Sequence, residues 1–172
     1  MERTMTIVEQ PARIEVLTLE LQGETFAIDA AYVQEILDMV AVTEVPNSQP
    51  FVNGLINVRG KVVPYADLRI KFEMELAPPT IDTRIIVVDV DLDGVPTTVG
   101  LRADKVYEVT ELGEAALTET PRIGMRWRPE YIRCIGRQQD DFIIVLDLST
   151  ILATGLTDRT GDDSSSSNIA AV

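Results

Sequence analysis

Three stretches in the first half of this chain recur, in the same order, in its second half, and that internal repeat limits the available folds more than any other feature. Residues 13–24 overlay 84–95 at an offset of 71, with Arg13/Arg84, Ile14/Ile85, Val16/Val87, Leu21/Leu92 and Gly23/Gly94 identical. Residues 26–36 overlay 99–109 at an offset of 73, with Ala30/Ala103, Val33/Val106 and Glu35/Glu108 identical. Residues 51–72 overlay 131–152 at an offset of 80, sharing Asp67/Asp147, Leu68/Leu148 and most apolar positions. A copy of roughly 60–70 residues is marginal alone, so the physical reading is two similar small units that bury a face against each other. Whether the copies close one after the other or exchange strands is open from the sequence.

The texture inside each copy is β. Ile14, Val16, Leu17, Leu19 and Leu21 lead into Gln22-Gly23, and residues 84–92 lead into Asp93-Gly94 before an apolar return over 95–101. Both are hairpin signals. Residues 55–58 meet Arg59-Gly60 and leave through Lys61-Val62-Val63, while the β-branched run 142–146 reads as a buried strand. Helical signal is scarce: 30–37 and 68–74 could each make about two turns. The fold class is therefore all-β, as small barrels or a sandwich. Residues 1–12 read as a flexible tail. Residues 153–172, with Gly155, Asp158, Gly161, Asp162, Asp163 and Ser164 to Ser167, read as disordered, because they bury too little to offset ordering entropy. The folded part is 13–152, split roughly as 13–75 and 82–152.

The repeat separates fold from function. Shared positions do the same structural work twice: Asp67 and Asp147 as helix N-caps, Gly23 and Gly94 as turn residues. Positions that differ are freer. A turn explains Gly60, but nothing about a turn asks for Arg59; the places of Arg59 and Gly60 in the other copy are taken by Gln139 and Asp140. Arg59 is either a solvated surface cation or a bidentate anchor for a carboxylate, in a partner or in this chain. Glu35 is the candidate internal counter-ion, although its echo in Glu108 keeps a structural role open.

The composition weighs against catalysis. The chain has no His, which removes Ser-His-Asp and Cys-His chemistry and His metal ligation, and one Cys, which removes internal disulfides and multi-Cys metal sites. There is no P-loop, no G-x-G-x-x-G and no G-x-S-x-G. Asp89, Asp91 and Asp93 lack the spacing of a calcium loop and read as charges on a solvated strand edge. Trp127, in Met125-Arg126-Trp127-Arg128, could stack a ligand, but it fits a core or seam plug better. Cys134 overlays Gly54 and reads as a small packed residue rather than a nucleophile. With 15 Lys+Arg against 28 Asp+Glu and a formal charge of −13, a nucleic-acid or membrane-surface role is disfavoured. No apolar run is long enough to cross a bilayer and the N-terminus does not read as a signal peptide, so the expectation is a cytoplasmic protein.

At Val33-Gln34-Glu35-Ile36, and over 51–69 with Asn57-Val58-Arg59-Gly60, Val62-Val63-Pro64 and Asp67-Leu68-Arg69, the chain resembles the CheW family of chemotaxis coupling proteins. The likeness continues through Gly100-Leu101, Asp104, Val106 and Val109, then Tyr131-Ile132 and 142–148, so it covers about 13–152. Val58 stands where Leu is commoner. The resemblance implies two packed SH3-like five-stranded β-barrels with short helices. It implies a non-enzymatic adaptor without cofactor or metal, which binds the regulatory domain of the histidine kinase CheA on one surface and the cytoplasmic tip of chemoreceptors on another. Val33, Glu35, Gly54, Arg59 and Val109 fall at positions the family uses around the receptor groove and its supporting ion pair. Two alternatives stand beside this: a CheW-like adaptor of another array, serving twitching motility or development, and a small-ligand-binding β-barrel.

Overall fold

The computed structural model describes residues 13–48, 51–113, 117–118 and 128–156. Residues 1–12, residues 157–172 of the expected C-terminal tail and Trp127 lie outside them. Among the described residues twelve strands run in chain order: β1 Arg13–Leu21, β2 Glu24–Asp29, β3 Val33–Asp38, β4 Thr43–Glu44, β5 Gly54–Val58, β6 Lys61–Ala66, β7 Arg84–Leu92, β8 Val95–Ala103, β9 Lys105–Gly113, β10 Leu117–Thr118, β11 Ile132–Gln138 and β12 Asp141–Leu146. Helix α1 spans Leu68–Lys71 and α2 spans Leu148–Leu156, past the expected end of the folded part at 152.

The strands form two sheets, ordered β10-β11-β12-β2-β1-β9 and β3-β7-β8-β6-β5-β4. Each has five longer strands and a two-residue edge strand. Both curl. Glu35 on β3 touches Arg59 beside β5, bringing the two ends of the second sheet together. In the first sheet, a Cβ on Gly136 of β11 would sit 2.6 Å from Leu112 of β9 at the far end.

The sheets do not follow the repeat boundaries. The β1–β2 hairpin of the first copy lies in the sheet of β9–β12, and the β7–β8 hairpin of the second copy lies in the sheet of β3–β6. The exchange is reciprocal. Each hairpin joins its host sheet through an antiparallel pair, β7 with β3 and β1 with β9, and a parallel pair, β8 with β6 at Gly100↔Tyr65 and β2 with β12 at Ala27↔Val145, and the parallel pairs correspond through the offsets of 80 and 73.

Strand alternation explains the unbroken apolar runs. On β7, Ile85 and Val87 face the interior of the second barrel, while Ile86, Val88, Val90 and Leu92 face the seam between the barrels. On β1, Ile14 and Val16 fill the first barrel, while Leu17, Leu19 and Leu21 face the seam. Both faces are therefore buried, which selects Val, Ile and Leu at successive positions. The seam cluster is much larger than either barrel interior; it includes Phe26 stacked on Phe72 at 5.8 Å and the buried α2 residues Leu148, Ile151 and Leu152. It joins two units that would each be marginal alone.

The repeated Asp residues cap the two helices: Asp67 accepts from the Arg69 N–H at 3.1 Å and Asp147 from the Thr150 N–H at 3.1 Å. Their own N–H groups donate to Phe51 and Tyr131, another pair related by the offset of 80. Each such cap is worth about 1 kcal/mol.

Some expectations need correction. Residues 30–37 are not a two-turn helix. Asp29 caps a single 3-10 turn at Ala30–Tyr32, and from Val33 the chain enters β3 against β7. The pairing outweighs a weak helical preference. The helix expected over 68–74 is the single turn α1, ended at Phe72 before Glu73 at φ 55°. Phe142, the second residue of β12 beside the hairpin tip, is 68% exposed, so only the rest of that run faces the core. β7 lies inside its sheet, paired with β8 along its whole length, but β3 covers only 84–88, so the exposed Asp89, Asp91 and Asp93 do stand on an uncovered edge, with Asp89 bonded to the Thr98 hydroxyl and Asp91 accepting from the Gly94 N–H.

Candidate functional site

Asn57-Val58-Arg59-Gly60-Lys61 folds as a hairpin with a two-residue loop, Arg59 at φ 52° and Gly60 at φ 84°. Both central residues are left-handed, as a type I′ turn requires, and the Asn57 side-chain oxygen accepts from the Gly60 N–H at 2.8 Å. Asn, Asp or Gly suits the first position, so an Arg there is a departure from turn chemistry. Its guanidinium forks onto Glu35: Nε to Oε2 at 3.0 Å, Nε to Oε1 at 3.3 Å and Nη2 to Oε2 at 2.9 Å. The Arg59 side chain is 80% exposed and Glu35 24%. The hydrogen bond and the Coulomb attraction of Glu35 push the Arg59 pKa up. A pair this exposed adds little stability. What it does is hold a cation in one orientation at the barrel tip.

Val33 and Glu35 sit on β3 around a bulge, since Val33 pairs with Val88 and Glu35 with Val87, leaving Gln34 unmatched. Gly54 opens β5. A Cβ there would strike Val42 Cγ1 and lie 3.2 Å from the Thr43 carbonyl, so glycine is what lets β4 close on β5. Val109 lies on β9 of the other sheet, opposite Leu17, and is 58% exposed. The structure thus joins Glu35 to Arg59 directly, keeps Val33 and Gly54 in the same barrel, and puts Val109 on the other. The candidate set spans both barrels.

Sequence reasoning missed two exposed apolar side chains on the same strands, Ile36 of β3 and Tyr107 of β9, the latter under the Lys105 ammonium at 5.3 Å. Reading 30–37 as helix hid Ile36; the pairing of Tyr107 with Val109 at alternate positions was the available signal. It also missed the reach of Asp67-Leu68-Arg69. Arg69 is buried, forks onto Asp67 at 3.0 and 2.8 Å, and donates to the Ala77 carbonyl at 2.8 Å. Burial pulls its pKa down and Asp67 outweighs that, leaving it above the ordinary value.

Cys134 is half-buried against Ile14, Val16 and Leu112, and burial pushes its thiol pKa up against the opposing pull of Arg133. A thiol so shifted is a poor nucleophile. Among the described residues no three metal-capable side chains gather, and no helix is long and apolar enough to cross a membrane.

The sequence matches the CheW-like domain family over residues 15–155. The chemotaxis protein CheW of Klebsiella aerogenes is 29% identical over 140 residues, 81% of this chain and 82% of the relative. That of Treponema pallidum is 22% identical over 152 residues, covering 88% and 89%. Bacillus subtilis CheW is 27% identical over 133 residues, covering 77% and 82%. In three dimensions the fold is similar to the crystal structure of the scaffolding protein TtCheW from Thermoanaerobacter tengcongensis, with a TM-score of 0.72 at 27% identity over 84% of this chain and 90% of that one. A match over most of the sequence, on twin curled sheets shared with a solved scaffolding protein, leaves one conclusion: the chain belongs to the CheW family of chemotaxis scaffold proteins.

Proposed function

We propose that this chain is a cytoplasmic, non-enzymatic adaptor that couples chemoreceptors to a CheA-type histidine kinase. It binds the regulatory domain of the kinase on one surface and the hairpin tip of the receptors on another. The mechanism is bivalency: two partners sharing one body gain effective concentration for each other. The receptor hairpin docks with its apolar face between the barrels and meets Val33 and Val109, while Gly54 keeps β5 in place. Arg59, oriented by Glu35, fixes the register at the edge.

The observation that carries this reading is the Glu35–Arg59 pair. An arginine in a left-handed turn position, exposed and aimed by a carboxylate, costs the hairpin its best turn residue and returns little stability. Recognition explains it. The interiors of both barrels are filled by their own side chains, which disfavours a ligand-binding lumen.

The test is co-purification with a CheA-type kinase and a receptor fragment, read out as receptor-dependent change in kinase autophosphorylation. Binding and control support the proposal; a chain that engages neither partner ends it. In calorimetric titration, Arg59→Ala is expected to weaken receptor binding about ten-fold with the fold intact, and Gln139→Ala at the corresponding tip to leave it unchanged. Equal affinities for Arg59→Ala and the parent remove Arg59 from the site.

A further inference from the structure

Among the described residues the chain crosses between the two sheets twice, from β2 to β3 and from β8 to β9. The two crossings correspond in the repeat, and they are built differently. At the first, Asp29 caps the Ala31 N–H at 2.9 Å and meets Arg133 at 2.7 Å, with the Arg133 side chain 46% exposed. At the second, Asp104 alone links β8 to β9, and its two carboxylate oxygens serve different barrels.

Asp104 Oδ2 accepts the Gln22 N–H at 2.7 Å in the turn of the β1–β2 hairpin, and the Asp104 N–H donates to the Glu20 carbonyl at 2.9 Å. Both contacts belong to the first barrel. Asp104 Oδ1 faces Arg69 Nη1 at 3.7 Å and Arg102 Nη2 at 3.8 Å, side chains 2% and 8% exposed in the second barrel. Those two arginines converge on the Ala77 carbonyl at 2.8 and 3.2 Å. One carboxylate therefore ties the hairpin turn of one barrel to a buried cation pair of the other. The counterpart of Asp104 is Ala31, and that of Arg69 is Ser149, so the first crossing forms without any such tie. Chain connection does not require it.

We infer that Asp104 is a positioning residue that locks the angle between the barrels, and with it the spacing of the two walls of the receptor groove. The first half stands on the geometry alone; the second rests on the proposed function. β9, which carries Val109, begins at the residue after Asp104, while Glu35 and Arg59 belong to the opposite wall. A groove whose walls are fixed before binding loses less freedom on docking.

The test places spin labels at two exposed tips, Lys61→Cys and Asp141→Cys in a Cys134→Ser background, and reads the distance distribution between them. The parent is expected to give one narrow distance. Asp104→Ala is expected to broaden or shift it while circular dichroism reports the strands intact, and Arg133→Ala at the other crossing to leave it narrow. If Asp104→Ala does not fold, Asp104→Asn decides: it keeps an oxygen for Gln22 but loses the charge facing the arginines, so partial broadening is expected. An unchanged distribution in the folded Asp104 variants, or equal broadening by Arg133→Ala, overturns the lock. In parallel, an unlabelled Asp104→Ala chain is titrated with the receptor fragment, with several-fold weaker binding expected although Glu35 and Arg59 remain. Broadening with undiminished affinity overturns the groove half of the inference. A parent chain that binds no receptor fragment defeats the proposed function, and the distances still decide the lock.

Discussion

The β5–β6 and β11–β12 hairpins both have two-residue loops with a left-handed first residue, Arg59 at φ 52° and Gln139 at φ 56°, but the second residue has positive φ at Gly60 and not at Asp140. They occupy corresponding places in the two copies, 80 residues apart. One tip carries a cation forked onto Glu35. The other carries Gln139, Asp140 and Asp141 beside the exposed Phe142. The crossings between sheets differ in the same way, Asp104 with buried arginines on one side and Ala31 on the other. The copies share a hairpin frame and differ in the side chains set on it.

The comparison is most open to attack where it concerns buried charge. Arg69→Met leaves the Asp67 carboxylate buried without its partner, and urea denaturation is expected to show a loss of about 3–5 kcal/mol. The counterpart Ser149→Ala is expected to stay within about 0.5 kcal/mol of the parent. Similar costs at both sites would mean that the copies are energetically equivalent after all. Gly54→Ala comes next. Its Cβ meets Val42 and the Thr43 carbonyl, and overpacking there is expected to cost about 1–3 kcal/mol by the same measurement. Cys134→Ala, at the matching position, is expected to cost less than about 1 kcal/mol. The smallest effect sharpens the comparison of the tips. Gln139→Asn suits the left-handed turn position and is expected to raise stability by about 0.5 kcal/mol. Arg59→Asn gains less in the same assay, because it also gives up the fork onto Glu35. An equal gain at both positions would show that the ion pair contributes nothing to the fold.

Much of this was legible locally. Gln22-Gly23, Arg59-Gly60 and Asp93-Gly94 announced hairpins because left-handed pairs are demanded by two-residue loops, and all three have positive φ at both residues. Asp67 and Asp147 announced helix starts because a carboxylate at that place satisfies free N–H groups. The mismatch between copies singles out Arg59, Glu35 is its candidate counter-ion despite the echo in Glu108, and the two side chains meet. Other features were not legible. Residues 33–38 look indifferent between helix and strand by composition, and only β7 on one side decides for strand. Arg69 sits in an ordinary polar-looking motif, and nothing within a few residues reveals that Ala77 and Asp104 close around it.

The amino-acid order alone settled the β character, the twofold repeat, the turn and cap residues and the absence of histidine-based chemistry. Each follows from φ/ψ preference, alternation or simple presence, which are properties of a residue and its near neighbours. Tertiary structure alone decided that the copies trade hairpins, that the candidate groove residues divide between two barrels, and that one carboxylate ties them together. The reason is that a strand buried on both faces has the same apolar sequence whichever sheet it joins. Only the packed seam, by burying Leu17, Phe26, Phe72, Ile86 and Leu146 in one cluster, distinguishes one pairing from the other.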